Sequence, residues 1–212
     1  MRRLVIFLAH IDDLEISSFG YIFKNYKKYD DIEFFLATNW SKKEDIFKEN
    51  LKAIENRIGR TIKYTNFGYE QRKLTTYFDN LKDDFYKSFD FTTEITLLTH
   101  DSEDTHTDHT VINSIAMGLY KYCDRFITVY SPSSINFKSN YFIELAEEDY
   151  ILKKECMDKY DISNEQSYSR LGYYLKSEEH YNIGRSYVLE KHAKALSASH
   201  WEVYRILKWA GK

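Results

Sequence analysis

The feature that most constrains this chain is the alternation of short, almost unbroken apolar runs with longer stretches of helical period. Arg3 to Ala9 (RLVIFLA) is the first such run, and Leu14 to Lys28 follows with Ile16, Phe19, Ile22, Phe23 and Tyr26 at helical spacing. A strand that is apolar at successive positions has no polar face, so it must be covered on both sides. The pattern then repeats, with Ile32 to Ala37 (IEFFLA) preceding a helix-like stretch from Glu44 to Ile58 that carries Ile46, Phe47, Leu51 and Ile54. Ile62 to Phe67 is a third predicted strand and Tyr77 to Phe89 a helix. Ile95 to Thr99 (ITLLT) is a fourth strand, Thr110 to Lys121 a helix, and Arg125 to Tyr130 (RFITVY) a fifth strand. This order predicts an α/β fold with a mainly parallel sheet flanked by helices, in which sites gather at the carboxyl ends of strands.

The C-terminal part reads as more helical. Glu147 to Tyr160 and Glu190 to Trp209 are predicted helices, and the section between them, including SNEQSYSRLG, reads as a loop. No repeat or Pro/Gly/Ser-rich linker interrupts the 212 residues. Domains commonly run about 100 to 200 residues, so 1–212 is read as one domain. Lys and Arg number 30 against 33 Asp and Glu, a formal net charge of −3. That balance lacks the basic field that drives binding to a phosphate backbone, which argues against nucleic acid as the main partner. No run approaches the roughly 18 apolar residues of a membrane span, and the N-terminus reaches Asp12 and Asp13 before a signal-peptide core is complete. A cytoplasmic location is the expectation. Cys123 and Cys156 lack CxxC spacing and read as reduced core thiols. The 19 Tyr and 14 Phe are assigned mainly to packing, although aromatic rings also stack on sugars.

Two clusters of His and Asp stand where predicted strands end: His10-Ile11-Asp12-Asp13 with Glu15 after it, and Asp104-Thr105-His106-Thr107-Asp108-His109. Where the chain leaves a strand for a helix, His10 and Asp13 can face one point, and His109 on the first turn of the next helix can add a third ligand. Three N/O ligands with a fourth position open to water are the pattern of a catalytic rather than a structural zinc ion. Such an ion lowers the pKa of a bound water toward about 7 and polarises a carbonyl oxygen. Asp12 should point away from its neighbour and serve as general base. His106 precedes His109 by three residues and shares its helical face, which places it beside the ion to meet an oxyanion or protonate a leaving nitrogen. Asp108 or Asp104 is expected to orient that imidazole. An Asp-Asp pair after a strand is more often a helix cap, so each cluster alone is a weak signal. Their pairing at separate strand ends is much more specific. His100 and Asp101 read as loop or supporting residues, and His180, His192 and His200 as surface or packing.

At these residues the chain resembles the LmbE-like, PIG-L-type N-acetylglucosaminyl deacetylases, zinc-dependent hydrolases with a Rossmann-like fold. The resemblance rests on Ala9-His10-Ile11-Asp12-Asp13-Leu14-Glu15 and on Asp104-Thr105-His106-Thr107-Asp108-His109. It extends more thinly to residues 129–137 and the ending SHWEVYRIL, where Ser199 stands in place of an expected acidic residue. Ile11 and Thr107 replace the prolines of the family motifs; neither position supplies a ligand. The resemblance implies His10, Asp13 and His109 as zinc ligands, Asp12 as base, and His106 as oxyanion stabiliser or acid. It also places Phe67 to Arg72 in a loop near the sugar, which makes Arg72 a candidate substrate contact; Asp104 is a second, and Asn39, Trp40 and Lys42 are weaker ones.

The expected activity is hydrolysis of the N-acetyl amide of an amino sugar or its conjugate, with a small-molecule N-acetylated glycoside as partner and Zn2+ as cofactor. A related amidohydrolase acting on another N-acyl or nucleotide-linked glycoside is the alternative. A noncatalytic metal-containing α/β module is another, and intact Asp12 and His106 argue against it because a structural metal needs neither. A nucleotide-binding Rossmann enzyme is disfavoured, since the first strand-to-helix turn lacks G-x-G-x-x-G.

Overall fold

The computed structural model describes residues 1–39, 43–162 and 201–209. Seven strands form one sheet in the order β3-β2-β1-β4-β5-β7-β6. β1 (Arg2–Leu8), β2 (Asp31–Thr38), β3 (Lys63–Tyr69), β4 (Glu94–His100) and β5 (Arg125–Val129) are parallel, whereas β7 (Trp201–Trp209) runs antiparallel to β5 and to β6 (Tyr141–Glu144). The apolar runs are explained by double coverage. Leu4, Ile6 and Leu8 of β1 point into a core shared with α1 (Asp13–Ser17), α2 (Phe19–Asn25), α3 (Glu44–Ile58) and α6 (Glu147–Ile162). Val5, Phe7 and Ala9 point into the opposite core, which includes Leu81 and Phe85 of α4 (Phe78–Lys87) and Val111, Ile112 and Ile115 of α5 (Thr107–Met117).

Strand order reverses at the centre of the sheet, because the chain moves outward from β1 through β2 to β3 and then returns to place β4 on the other side of β1. A crevice opens at the carboxyl ends of strands at such a switch point. β1 and β4 are the two strands that lead into the His/Asp clusters, and they pair directly, with Phe7 beside Thr99. The sheet therefore brings together motifs that lie about ninety residues apart in sequence.

Three elements differ from their sequence-based expectation. The helix predicted over Leu14 to Lys28 divides at Ser18 into α1, α2 and a short 3₁₀ turn. The Ser17 hydroxyl bonds back to the Asp13 carbonyl, and the Gly20 and Tyr21 N–H groups bond to Glu202 and the Tyr204 hydroxyl, so tertiary partners satisfy the second helix start. The helix predicted from Glu190 to Trp209 is corrected at its end, because Trp201–Trp209 is strand β7. Its alternation sends Tyr204 and Ile206 to one core and Leu207 to the other, and the open edge of β5 supplies its backbone partners. The short edge strand β6 went unread because four residues carry too little pattern. The predicted loop containing SNEQSYSRLG lies outside the described residues. Among the described residues no helix is long and apolar enough to cross a membrane.

A buried ion pair fastens β7 to the helices below the site. Lys153 Nζ donates to Glu202 Oε1 at 2.9 Å and to the Ile16 carbonyl at 2.7 Å, while Glu202 Oε2 accepts the Gly20 N–H and the Tyr204 hydroxyl. Breaking such a pair leaves a bare buried charge, so Lys153→Met is expected to destabilise the fold by about 3–5 kcal/mol. Urea unfolding monitored by circular dichroism measures this, and a loss under about 1 kcal/mol would show the pair to be dispensable.

Candidate metal centre

The turn after β1 is set by a local bond, since the Asp13 carboxylate accepts the His10 N–H at 2.7 Å. That places Asp13 at the start of α1 with its carboxylate folded back toward His10. Across the switch point, His106 caps α5, its Nδ1 accepting the Asp108 N–H at 3.2 Å, and His109 follows on the first turn. His10 Nδ1 lies 3.1 Å from His109 Nε2 and 3.3 Å from Asp13 Oδ2, and His109 Nε2 lies 3.5 Å from Asp13 Oδ1. Ligands about 2.0–2.1 Å from a tetrahedral ion stand roughly 3.3 Å apart, which is the spacing of each of these pairs. Asp13 meets the two rings with different oxygens. Among the described residues, the sets whose ligand atoms lie close enough to share an ion are His10, His106 and His109, and Asp13, His100 and His109.

Their protonation points the same way. His10 Nε2 faces Asp108 Oδ2 at 3.1 Å and His109 Nδ1 faces Asp104 Oδ2 at 2.9 Å. Each ionised carboxylate can only accept, so each ring presents its proton there. The two nitrogens facing each other across 3.1 Å are then both lone pairs, an approach that is favourable only with a proton or a cation between them. Burial opposes charge on both rings, yet the hydrogen bonds of Asp108 and Asp13 raise His10 to about 10, and Asp13 and Asp104 raise His109 to about 9. Asp13 resists its own burial and is held well below the usual carboxylate range, chiefly by the charge of His109 and the hydrogen bond with His10. The cluster is a buried hole for positive charge, and its N/O donor set suits a divalent ion.

Asp104 and Asp108 thus orient the rings of His109 and His10, not that of His106. Asp104 also accepts the His106 N–H at 2.8 Å, the Ser133 hydroxyl at 2.6 Å and the Ser131 hydroxyl. Burial works to raise its pKa, but the bonds from His109 and the two serines outweigh it and hold Asp104 ionised. Asp108 accepts the backbone N–H of Arg72 at 2.6 Å and of Leu74 at 3.4 Å, tying the loop after β3 to the site. A carboxylate behind a ligating histidine sets its tautomer and direction, and its loss usually lowers metal affinity about 10- to 100-fold. Asp104→Ala is expected to weaken divalent-ion binding by that factor; competition against a chromophoric chelator measures it, and unchanged affinity would remove Asp104 from the site.

Asp12 sits half-buried beside Asp13, and its carboxylate makes no capping hydrogen bond to α1. It occupies the N-cap position of that helix, where its carbonyl accepts the Ile16 N–H, but its side chain does no capping. Burial, reinforced by the Asp13 charge, pushes it up to about 6. The His106 ring packs 4.6 Å from those of both His10 and His109. Burial, with the charge on those two rings, lowers it to about 4. Because Nδ1 accepts from the backbone, the neutral ring carries its proton on Nε2. Glu15 faces away from this crevice, toward Asn50 and Tyr160, and burial pushes it up to about 8.

The Arg72 side chain is exposed, and its backbone lies in the left-handed region at φ 63°, held there by the Asp108 bond. Asn39 is exposed, with its N–H bonded to the Tyr69 carbonyl. Asp101 is a loop brace, accepting the Glu103 N–H and the Thr128 hydroxyl. Trp40, Lys42, His180, His192, Ser199 and His200 lie outside the described residues. Ser131 and Ser133, which grip Asp104, drew no notice in the sequence as site residues; only their place just after a strand marked them.

No protein-family model matches the sequence, and no curated protein is detectably similar to it. Solved structures are similar in fold. The N,N'-diacetylchitobiose deacetylase from Pyrococcus horikoshii superposes with a TM-score of 0.69 at 12% identity, over 97% of this chain and 83% of that one. The 4-carboxy-2-hydroxymuconate hydratase of Pseudomonas putida gives 0.64 at 12%, over 98% and 96%. The zinc-inhibited form of a teicoplanin deacetylase gives 0.64 at 9%, over 96% and 97%. At these identities the likeness is one of architecture: the chain has the α/β fold common to these deacetylases and this hydratase.

Proposed function

We propose that the chain is a metal-dependent deacetylase of the LmbE-like, PIG-L type, acting on the N-acetyl amide of an amino sugar or sugar conjugate to release acetate and a free amine. The observation that carries this reading is the convergence of His10, Asp13 and His109 beside Asp12, a carboxylate that is not used to cap its helix. The whole chain is read as one catalytic domain working in the cytoplasm, with zinc as the ion. Held by His10, Asp13 and His109, the ion would supply a Lewis acid for the amide carbonyl and acidify a water.

The residues around it do the remaining work. Asp12 accepts a proton from the attacking water as that water adds to the amide carbon. His106 donates a hydrogen bond from its Nε2–H to the oxygen on which charge develops, and the proton that Asp12 has taken from the water passes to the departing nitrogen. Asp104 and Asp108 keep the two ligand rings in one tautomer throughout. Arg72, at the end of a loop pinned by Asp108, is placed to meet a hydroxyl or an anionic group on the sugar.

His106→Ala is expected to bind metal normally and to lower kcat about 10²- to 10³-fold, as loss of one oxyanion donor does. Acetate release gives the rate and elemental analysis the metal; a kcat within threefold of wild type would exclude His106 from the chemistry. A hydratase of the same fold favours a second reading, water addition to a carbon–carbon double bond. Parallel assay of N-acetyl sugars for acetate and of unsaturated carboxylic acids for loss of ultraviolet absorbance separates the two. Turnover of the acids alone would overturn the deacetylase reading.

A further inference from the structure

Apart from the residues given roles above, one buried side chain touches every segment that carries a ligand. His100 ends β4 and is fully buried. Its Nε2 accepts the Ala9 N–H at 3.0 Å, just past the Phe7–Thr99 pair where the β1–β4 ladder ends and immediately before His10. The same nitrogen lies 3.2 Å from Asp13 Oδ2. Its ring lies flat on that of His109, with centroids 3.7 Å apart and planes 8° from parallel. Its carbonyl accepts the side-chain amide of Asn113 at 2.7 Å, one turn beyond His109 on α5.

The other ring nitrogen shows that the imidazole is there for more than its volume. With Nε2 accepting from the Ala9 N–H, the neutral ring carries its proton on Nδ1, a nitrogen buried without a hydrogen-bond partner among the described residues. The Nε2 lone pair then meets Asp13 Oδ2 as those of His10 and His109 meet each other, an approach that a cation beside them makes favourable. An orphaned buried donor costs about 1–3 kcal/mol, and a phenyl ring would fill the same space without it. What phenyl lacks is the acceptor for the Ala9 N–H.

We propose that His100 is a positioning residue for the metal centre, fixing the plane of the His109 ring and the strand end that presents His10. The inference rests on reading His10, Asp13 and His109 as the metal ligands. The bond to Asp104 directs His109 within its ring plane; the flat contact with His100 sets the plane itself. Together they aim Nε2 at one point before an ion arrives. Without His100 the ligands must be ordered as the ion binds, and affinity falls accordingly.

His100→Phe keeps a flat ring against His109 and removes the acceptor, whereas His100→Ala removes both. Zinc affinity is read by competition with a chromophoric chelator, and ligand geometry by the visible absorption of the Co2+-loaded proteins. Zinc binding is expected to weaken about 10-fold in His100→Phe and about 100-fold in His100→Ala, with the cobalt bands shifted in both. A residue that merely fills space would lower the Tm of His100→Ala but leave zinc affinity and the cobalt spectrum of His100→Phe at wild-type values, and that result overturns the proposal. If His100→Ala does not fold, the phenylalanine variant decides alone. A wild-type protein that takes up neither ion removes the ligand assignment itself, and this inference with it; normal uptake by wild type and variants alike removes only the role of His100.

Discussion

Replacing Asp12 by Asn is expected to leave the metal in place and to lower turnover by about 10²- to 10⁴-fold, the usual contribution of a general base. The substitution keeps the shape of the side chain and removes only its ability to take a proton. Because the carboxylate does not cap its helix, its loss should cost the fold little, which separates catalysis from stability. The pH profile provides a second readout. Burial and the Asp13 charge push Asp12 up to about 6, and a cation alongside pulls the value back down. As pH falls through this pKa the base becomes protonated, so kcat/KM should drop about tenfold per pH unit on an acid limb at or below about 6. Asp12→Asn should lack that limb. Acetate release at wild-type rate from the Asn variant would remove Asp12 as base, whatever the metal content.

His109→Ala should abolish both metal and activity. It deletes one of three converging donors, and it also strips Asp104 of its ring partner while Asp13 loses a neighbouring positive charge. The expected loss of affinity exceeds the roughly 10- to 100-fold that follows removal of an outer partner. Elemental analysis after dialysis should find about one divalent ion per chain in the wild type and close to none in the variant. His109 lies on a short helix packed by Val111, Ile112 and Ile115, so circular dichroism should remain near wild type. A variant that retains its full complement of metal would show that the ion binds elsewhere. Depletion of metal by a chelator should reproduce the loss of activity in the wild-type protein, with recovery on adding the ion back.

The parallel sheet was legible because Arg3 to Ala9, Ile32 to Ala37, Ile95 to Thr99 and Arg125 to Tyr130 have no polar face, and only a doubly covered strand accommodates that. The two antiparallel strands were not. Residues 201–209 carry a pattern compatible with helix or strand, and the edge of β5 settles the matter by offering a ladder of backbone partners that no local signal records. Asp13 and Glu15 illustrate the same division within one short helix: both are buried carboxylates two residues apart, yet the first turns back to the crevice and the second turns away toward Asn50 and Tyr160.

By itself the sequence determined which residue types could do chemistry and that they stand where strands end, since both follow from local order along the chain. Only the tertiary structure decided who partners whom. Asp104 serves His109, Asp108 serves His10, Ser131 and Ser133 hold Asp104, and His100 lies against Ala9, Asp13 and His109. The physical reason is that hydrogen bonds and ring stacking require contact within a few ångströms in defined directions. Those directions are fixed by how β1 and β4 pair at the switch point, a relation between segments far apart in the chain.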